Sequence, residues 1–172
     1  SGYKRNPDYN GADQEGVGYF QLTMKGGRRC SSAAAYLAPA RTRKNLSVIT
    51  DAQVEKVVIA EGRATGVQIR RHQRVETITA NAEVILSAGA IGSPQLLMLS
   101  GIGAGGELSA HGIEVLSDLP GVGKNLQDHL QARPVFKTTL STVNTEINSY
   151  LKKGLIAAKY AFTQRGPMTM AA

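Results

Sequence analysis

Three histidines (His72, His111 and His129), a single cysteine (Cys30) and the small-residue run Ala88-Gly89-Ala90-Ile91-Gly92 are the places where this sequence could do chemistry. An imidazole titrates near neutrality, so a histidine can take a proton from a hydroxyl as a general base. His72 lies in a polar Arg71-His72-Gln73 stretch between two β-rich runs, where solvation is expected. His111 precedes Gly112, and a cation at the end of a short helix complements its dipole, so a capping role is expected. His129 follows Asp128, a carboxylate suited to orienting an imidazole, yet a packed hydrogen-bonding role beside Asn125 and Asp128 is expected over a catalytic one. Cys30 sits between Arg29 and Ser31 with no histidine adjacent, so a plain thiol at a helix start is expected. One cysteine excludes an internal disulfide framework and a cysteine-rich zinc site.

The small-residue run belongs to Val84–Gly103, VILSAGAIGSPQLLMLSGIG. This stretch predicts a buried strand of a parallel sheet, a tight turn and a helix capped by Ser93, with Pro94 in the first turn and Gly101 at the end. Small residues at such a turn let main chain approach a ligand, and free amides at the helix start favour an anion such as a diphosphate. The alternative is that the glycines only make a tight connection. Nearby, Gly101 to Gly106 formally satisfies G-x-G-x-x-G. That fingerprint requires a strand before it and a helix opening at it, whereas here a helix is expected to end, so no dinucleotide role is assigned to it.

The elements that position these residues follow from hydrophobic period and punctuation. Residues 1–30 are rich in turn formers and predict loops around one strand, Val17 to Thr23. Ser31 or Ser32 is expected to cap a helix that Pro39 kinks or ends. Four β-rich runs, Leu46–Thr50, Val54–Ala60, Thr65–Arg70 and Val75–Ala80, predict an antiparallel meander. A short helix is expected over Glu107–His111. A longer one is expected over Ile147–Phe162, with Ile147, Leu151, Leu155, Ala158 and Phe162 on its apolar side.

Composition sets the bounds. The 172 residues are 42% hydrophobic and 19% charged, enough for one sizeable core. No run approaches a membrane span, and the single thiol agrees with a reducing compartment, so a cytoplasmic protein is expected. The net charge of +7 is scattered apart from the cluster Arg41-Thr42-Arg43-Lys44 and the pair Arg70-Arg71, and with three Phe, six Tyr and no Trp there is little to stack bases on, which argues against nucleic-acid binding. The chain opens without Met in a turn-rich segment and closes soon after Gly166-Pro167, so it is read as a segment of a longer protein.

The run Gly89-Ala90-x-x-Ser93-Pro94-x-Leu96-Leu97-x-x-Ser100-Gly101-Ile102-Gly103 resembles, position by position, a pattern of the glucose-methanol-choline (GMC) oxidoreductases. Similar to family segments, in the family's order, are Asn6-Pro7-Asp8-Tyr9-Asn10-Gly11, Gly16 to Gln21, Arg28 to Ala33, and Leu119-Pro120-Gly121-Val122-Gly123-Lys124-Asn125-Leu126-Gln127-Asp128-His129. Residues beyond about 130 match loosely.

This resemblance implies a mixed α/β (α+β) fold: part of a Rossmann-like FAD-binding domain carrying an antiparallel meander, with part of a substrate-binding domain. It divides the chain into 1–44 on the substrate side or interface, 45–103 in the FAD-binding domain and 104–172 on the substrate side. Val54 matches the position whose main chain pairs with the adenine ring, and Ala88 and Gly89 match the loop passing the ribose and diphosphate. Ser93 joins them as a cofactor-binding candidate. The family's catalytic histidine lies in segments outside this chain, so no catalytic residue and no metal ligand are assigned. The implied activity is FAD-dependent oxidation of a primary alcohol, choline among the candidates, to an aldehyde by hydride transfer, in a dehydrogenase rather than an oxidase. The isolated segment is expected to be inactive. Its expected partners are a small alcohol, an unspecified electron acceptor and the rest of its own chain. The other readings are a non-redox, lyase-type flavoprotein on the same scaffold and a structural module without activity.

Overall fold

In chain order the elements of the computed structural model begin with a hairpin of β1 (Met24–Lys25) and β2 (Arg28–Arg29), then a π turn (Ala33–Leu37) that runs into α1 (Ala38–Ala40). There follow β3 (Ala52–Ala60), β4 (Arg63–Arg71), β5 (Arg74–Thr79), α2 (Gly89–Leu99), β6 (Ile102–Gly103), α3 (Gly105–Ala110), β7 (Ser117–Asp118), α4 (Val143–Glu146) and α5 (Tyr150–Thr163). The structure describes residues 2–132 and 134–169. They form two units, one of 47–132 and one of 2–46 together with 134–169.

In the first unit, β-branched residues at alternating positions make β3, β4 and β5 an antiparallel meander in that order. Val57 faces Val67 and Val54 faces Ile69 across the β3–β4 ladder, and Val57 and Ile69 are buried. Two-residue turns join the strands, Glu61-Gly62 and His72-Gln73, and all four residues have positive φ. Turns of that hand match the twist of the flanking strands. His72 is therefore a turn residue, exposed as expected. Gly66, in the central strand, leaves room for β5, since a Cβ there would stand 2.3 Å from the Ile78 carbonyl oxygen.

Three strands form where four β-rich runs were expected. Leu46–Thr50 has no ladder among the described residues, and Asp51, at φ 55°, breaks it from β3. The predicted buried strand at 83–87 likewise has no ladder among the described residues, and Ile85 is 75% exposed. A continuously apolar strand needs a neighbour on each side, and none of the described residues supplies one.

Helix α2 packs on β3 and begins earlier than the Ser-Pro pair suggests. Gly89, at φ +84°, turns the chain into the helix, so Pro94 lies inside it and Ser93 is not its cap. Pro94, in the second turn, has no amide hydrogen to donate to the Ala90 carbonyl. The far end is pinned by Ser100, a buried residue whose hydroxyl donates to the Leu96 carbonyl and accepts from the Val57 amide at 2.8 Å. Because β3 is the outer strand of its sheet, Ser100 satisfies an amide that the ladder leaves unpaired. Replacing Ser100 with alanine is expected to lower stability by about 1–3 kcal/mol, the cost of orphaning a buried donor, and to speed hydrogen exchange at Val57. Unchanged protection of that amide would show that another group holds it.

The chain then reverses at Gly101, at φ +82°, and β6 pairs with β7 in parallel, Ile102 with Ser117 and Gly103 with Asp118. Between them α3 buries Leu108 to 1% exposure and closes at Gly112, at φ +70°, as expected.

In the second unit, Val17–Thr23 is not the expected strand. The Val17 amide donates to the Lys4 carbonyl and the Asn6 amide to the Val17 carbonyl, leaving one parallel bridge between Arg5 and Val17. Asn6, 6% exposed, organises the loop: its Nδ2 donates to the Asp13 and Glu15 carbonyls and its Oδ1 accepts from the Asp8 amide. Lys4 beside Asp13 holds that carboxyl below the usual carboxylate range, assisted by the Glu15 amide. Elsewhere in this unit, α5 ends at Gln164 in a left-handed conformation, and the Tyr160 hydroxyl donates to the Gly27 carbonyl in the β1–β2 turn. Ile156 and Tyr160 are its half-buried residues, while Leu151, Leu155 and Phe162 of the expected apolar side are exposed.

Candidate functional site

Val54 and Ala88, far apart in sequence, line one cavity of about 570 Å³ together with Ala52, Gln53, Glu55, Gly92, Gln95, Leu96 and Leu99. The edge of β3 forms one wall and the first turns of α2 the other. A register shift between Val54 and Lys56 leaves Glu55 without a ladder partner, and Arg70 Nε donates to its Oε1 at 2.7 Å, so the carboxylate at this wall is neutralised by a cation. The Val54 carbonyl accepts from Gln53 Nε2 at 3.1 Å.

At the other wall, the first amides of α2 have no intrahelical acceptor, no side chain caps them and no acidic residue stands in the first turn. A Cβ at Gly89 would have nothing within 4 Å, so the turn is open. Ser93 Oγ accepts from the Ala88 amide at 3.0 Å, which ties the turn to the helix. A main-chain acceptor beside apolar side chains at one wall, and open amides with a favourable dipole at the other, suit a ligand that joins a planar polar ring to an anionic group. Gln53, Glu55 and Gln95 carry no motif in the sequence. Only the pairing of β3 with α2 brings them to the cavity.

The second helix start in this region behaves differently. Asp118 Oδ1 accepts from the Gly105 amide at 2.9 Å, so the N-terminus of α3 already holds a carboxylate. A phosphate there would meet a like charge, which disposes of the G-x-G-x-x-G match at Gly101–Gly106 on physical grounds.

The histidines are not brought together. His72 lies in the β4–β5 turn. His111 closes α3 and lines a separate, mostly apolar cavity of about 910 Å³ on the side of α2 that carries Ile91, Pro94 and Met98. His129 is exposed rather than packed, and the Asp128 carboxylate accepts from the main-chain amide of His129 at 2.7 Å, not from its ring. Cys30 is half-exposed, and its amide donates to the Thr23 carbonyl. Among the described residues no cluster of His, Cys, Asp and Glu could hold a metal, and no helix is long and apolar enough to cross a membrane.

Over 168 residues the chain is 47% identical to the alcohol dehydrogenase [acceptor] of Pseudomonas putida, covering 95% of this chain and 30% of that one. It is 44% identical over 169 residues to the oxygen-dependent choline dehydrogenase of Rhizobium johnstonii, covering 96% and 30%. The chain thus spans about 30% of the length of these curated relatives. A solved FAD-dependent oxidoreductase from Chaetomium thermophilum superposes with a TM-score of 0.71 at 28% identity, over 84% of this chain and 26% of that one. A family model described as GMC oxidoreductase matches residues 1–131, the stretch that holds the meander, α2 and the cavity between them, and the chain belongs to that family.

Proposed function

We propose that this chain supplies the adenine and diphosphate contacts of an FAD-dependent oxidoreductase that acts on CH-OH donors. The observation that carries this reading is the shared cavity: Val54 on the outer strand β3, and Ala88 and Gly92 at the uncapped, acid-free start of α2, line the same space. In this reading the Val54 main chain meets the adenine ring, and the Ala88-Gly89 turn carries the diphosphate. Ser93 acts through Ala88, fixing the turn so that the helix amides stay open. Residues 45–103 are then the cofactor side, with 1–44 and 104–172 on the substrate side.

Bound flavin would supply the redox chemistry, accepting the hydride of the alcohol. This chain's own residues bind and orient; the proton acceptor is assigned outside it, since none of its three histidines lines the cavity. The relatives named for alcohol and choline favour a small primary alcohol as substrate, with choline a candidate, and a dehydrogenase.

The test is the visible absorption spectrum of the full-length protein, recorded before and after anaerobic addition of a panel of alcohols including choline. A flavin spectrum bleached by one of them is expected. A flavin bleached by none would point to a non-redox reaction on the same scaffold, and a protein purified without flavin would overturn the assignment of the cavity.

A further inference from the structure

The cavity carries a feature that the cofactor reading does not use: the acceptor at its β3 wall already receives one side-chain hydrogen bond. Gln53 is exposed, and its amide reaches over its own chain to donate Nε2–H to the Val54 carbonyl at 3.1 Å. Any planar ring that reads this outer strand through its main chain offers an N–H to that oxygen. The exocyclic amine of adenine is such a donor, and it would present the same kind of hydrogen as the glutamine amide. The oxygen has a second lone pair, but Gln53 lines the same cavity, so a ring entering to reach that oxygen meets the glutamine side chain and the two compete for the space.

We propose that Gln53 is a built-in competitor for the adenine end of the site, covering the Val54 carbonyl when the cavity is empty and swinging out when the ring enters. The proposal rests on the reading that Val54 meets adenine. Two structural facts favour it over an incidental surface contact. Gln53 and Val54 line the same cavity. The strand that carries them is an outer strand of its sheet, so among the described residues no ladder from a further strand shields the oxygen. A side chain that caps an acceptor in the free state lowers the apparent affinity of the incoming ligand by the cost of uncovering it.

The experiment measures FAD and FMN binding to the deflavinated full-length protein by quenching of flavin fluorescence, for wild type, Gln53→Ala and Gln53→Met. FMN carries the same flavin but no adenine. The wild type is expected to prefer FAD. Both variants are expected to bind FAD about fivefold more tightly, the worth of one neutral hydrogen bond, and FMN as before. Methionine fills the volume of glutamine without a donor, so agreement of the two variants excludes a packing effect. Unchanged or weaker FAD binding, or an equal change for FMN, overturns the proposal while the adenine reading stands. A wild type that binds FMN as tightly as FAD removes the adenine reading and this proposal with it.

Discussion

Replacing Gly101 with alanine is expected to cost about 3 kcal/mol of stability. Gly101 stands at φ +82°, where a Cβ adds about 1–2 kcal/mol of backbone strain. Space is short as well: that Cβ would lie 2.5 Å from the Glu114 carbonyl oxygen and 2.9 Å from Leu116 Cγ. Overpacking of this kind costs about 1–3 kcal/mol more. The backbone cannot step aside, because the Gly101 carbonyl accepts from both the Leu116 and Ser117 amides, at 2.8 and 3.0 Å. Urea titration of the full-length variant reads the loss directly. A change below about 1 kcal/mol would mean that residues 113–117 move as one piece and that the two amide bonds do not fix them.

The second large effect is on the cofactor rather than on the fold. Gly89→Val is expected to weaken FAD binding on the order of a hundredfold and, through about 1–2 kcal/mol of backbone strain, to lower the thermal midpoint by a few degrees. A Cβ at Gly89 meets nothing within 4 Å, so the folded protein has room for it. The cost lies elsewhere. Valine disfavours φ +84° strongly, and relaxing that angle re-aims the first amides of α2. Its branched methyl groups also project into the open turn, where the main chain would otherwise approach a diphosphate. The check is the flavin content of the purified variant beside its melting curve. Full flavin content with an unchanged melt would remove the Ala88-Gly89 turn from the cofactor site.

How much of this was legible in the sequence depends on what each signal encodes. The meander was readable at Val54–Ala60 and Val75–Ala80 because alternation of β-branched residues and the Glu61-Gly62 punctuation are local signals. Leu46–Thr50 and 83–87 carry the same local preference, yet extended chain becomes a strand only beside a partner, and composition says nothing about partners. The start of α2 was misplaced for a different reason. Ser93-Pro94 is a general signature of helix starts, but here the hydroxyl of Ser93 points back to the Ala88 amide and Gly89 sets the first turn. At His129 adjacency misled: the carboxylate of Asp128 turns to the nearer main-chain amide. The motif residues Ser100 and Gly101 were visible as a pattern, while their work, holding the β3 amide and leaving room for Glu114 and Leu116, required the pairing of distant segments. The neutralised Glu55 and the covering Gln53 had no signal at all.

The bond between Ser100 and Val57 also separates two kinds of visitor. An outer strand with a row of free amides invites a foreign chain to add itself and start a stack. Addition of that kind needs several consecutive main-chain groups at once, and the hydroxyl of Ser100 takes one of them in the middle of β3. A single ring needs only one short stretch of main chain, and at Val54 that stretch carries one hydrogen bond from the exposed Gln53 side chain. One hydroxyl thereby makes this edge a poorer template for an added strand than for a small guest, a filter set by how many contacts in a row each must make.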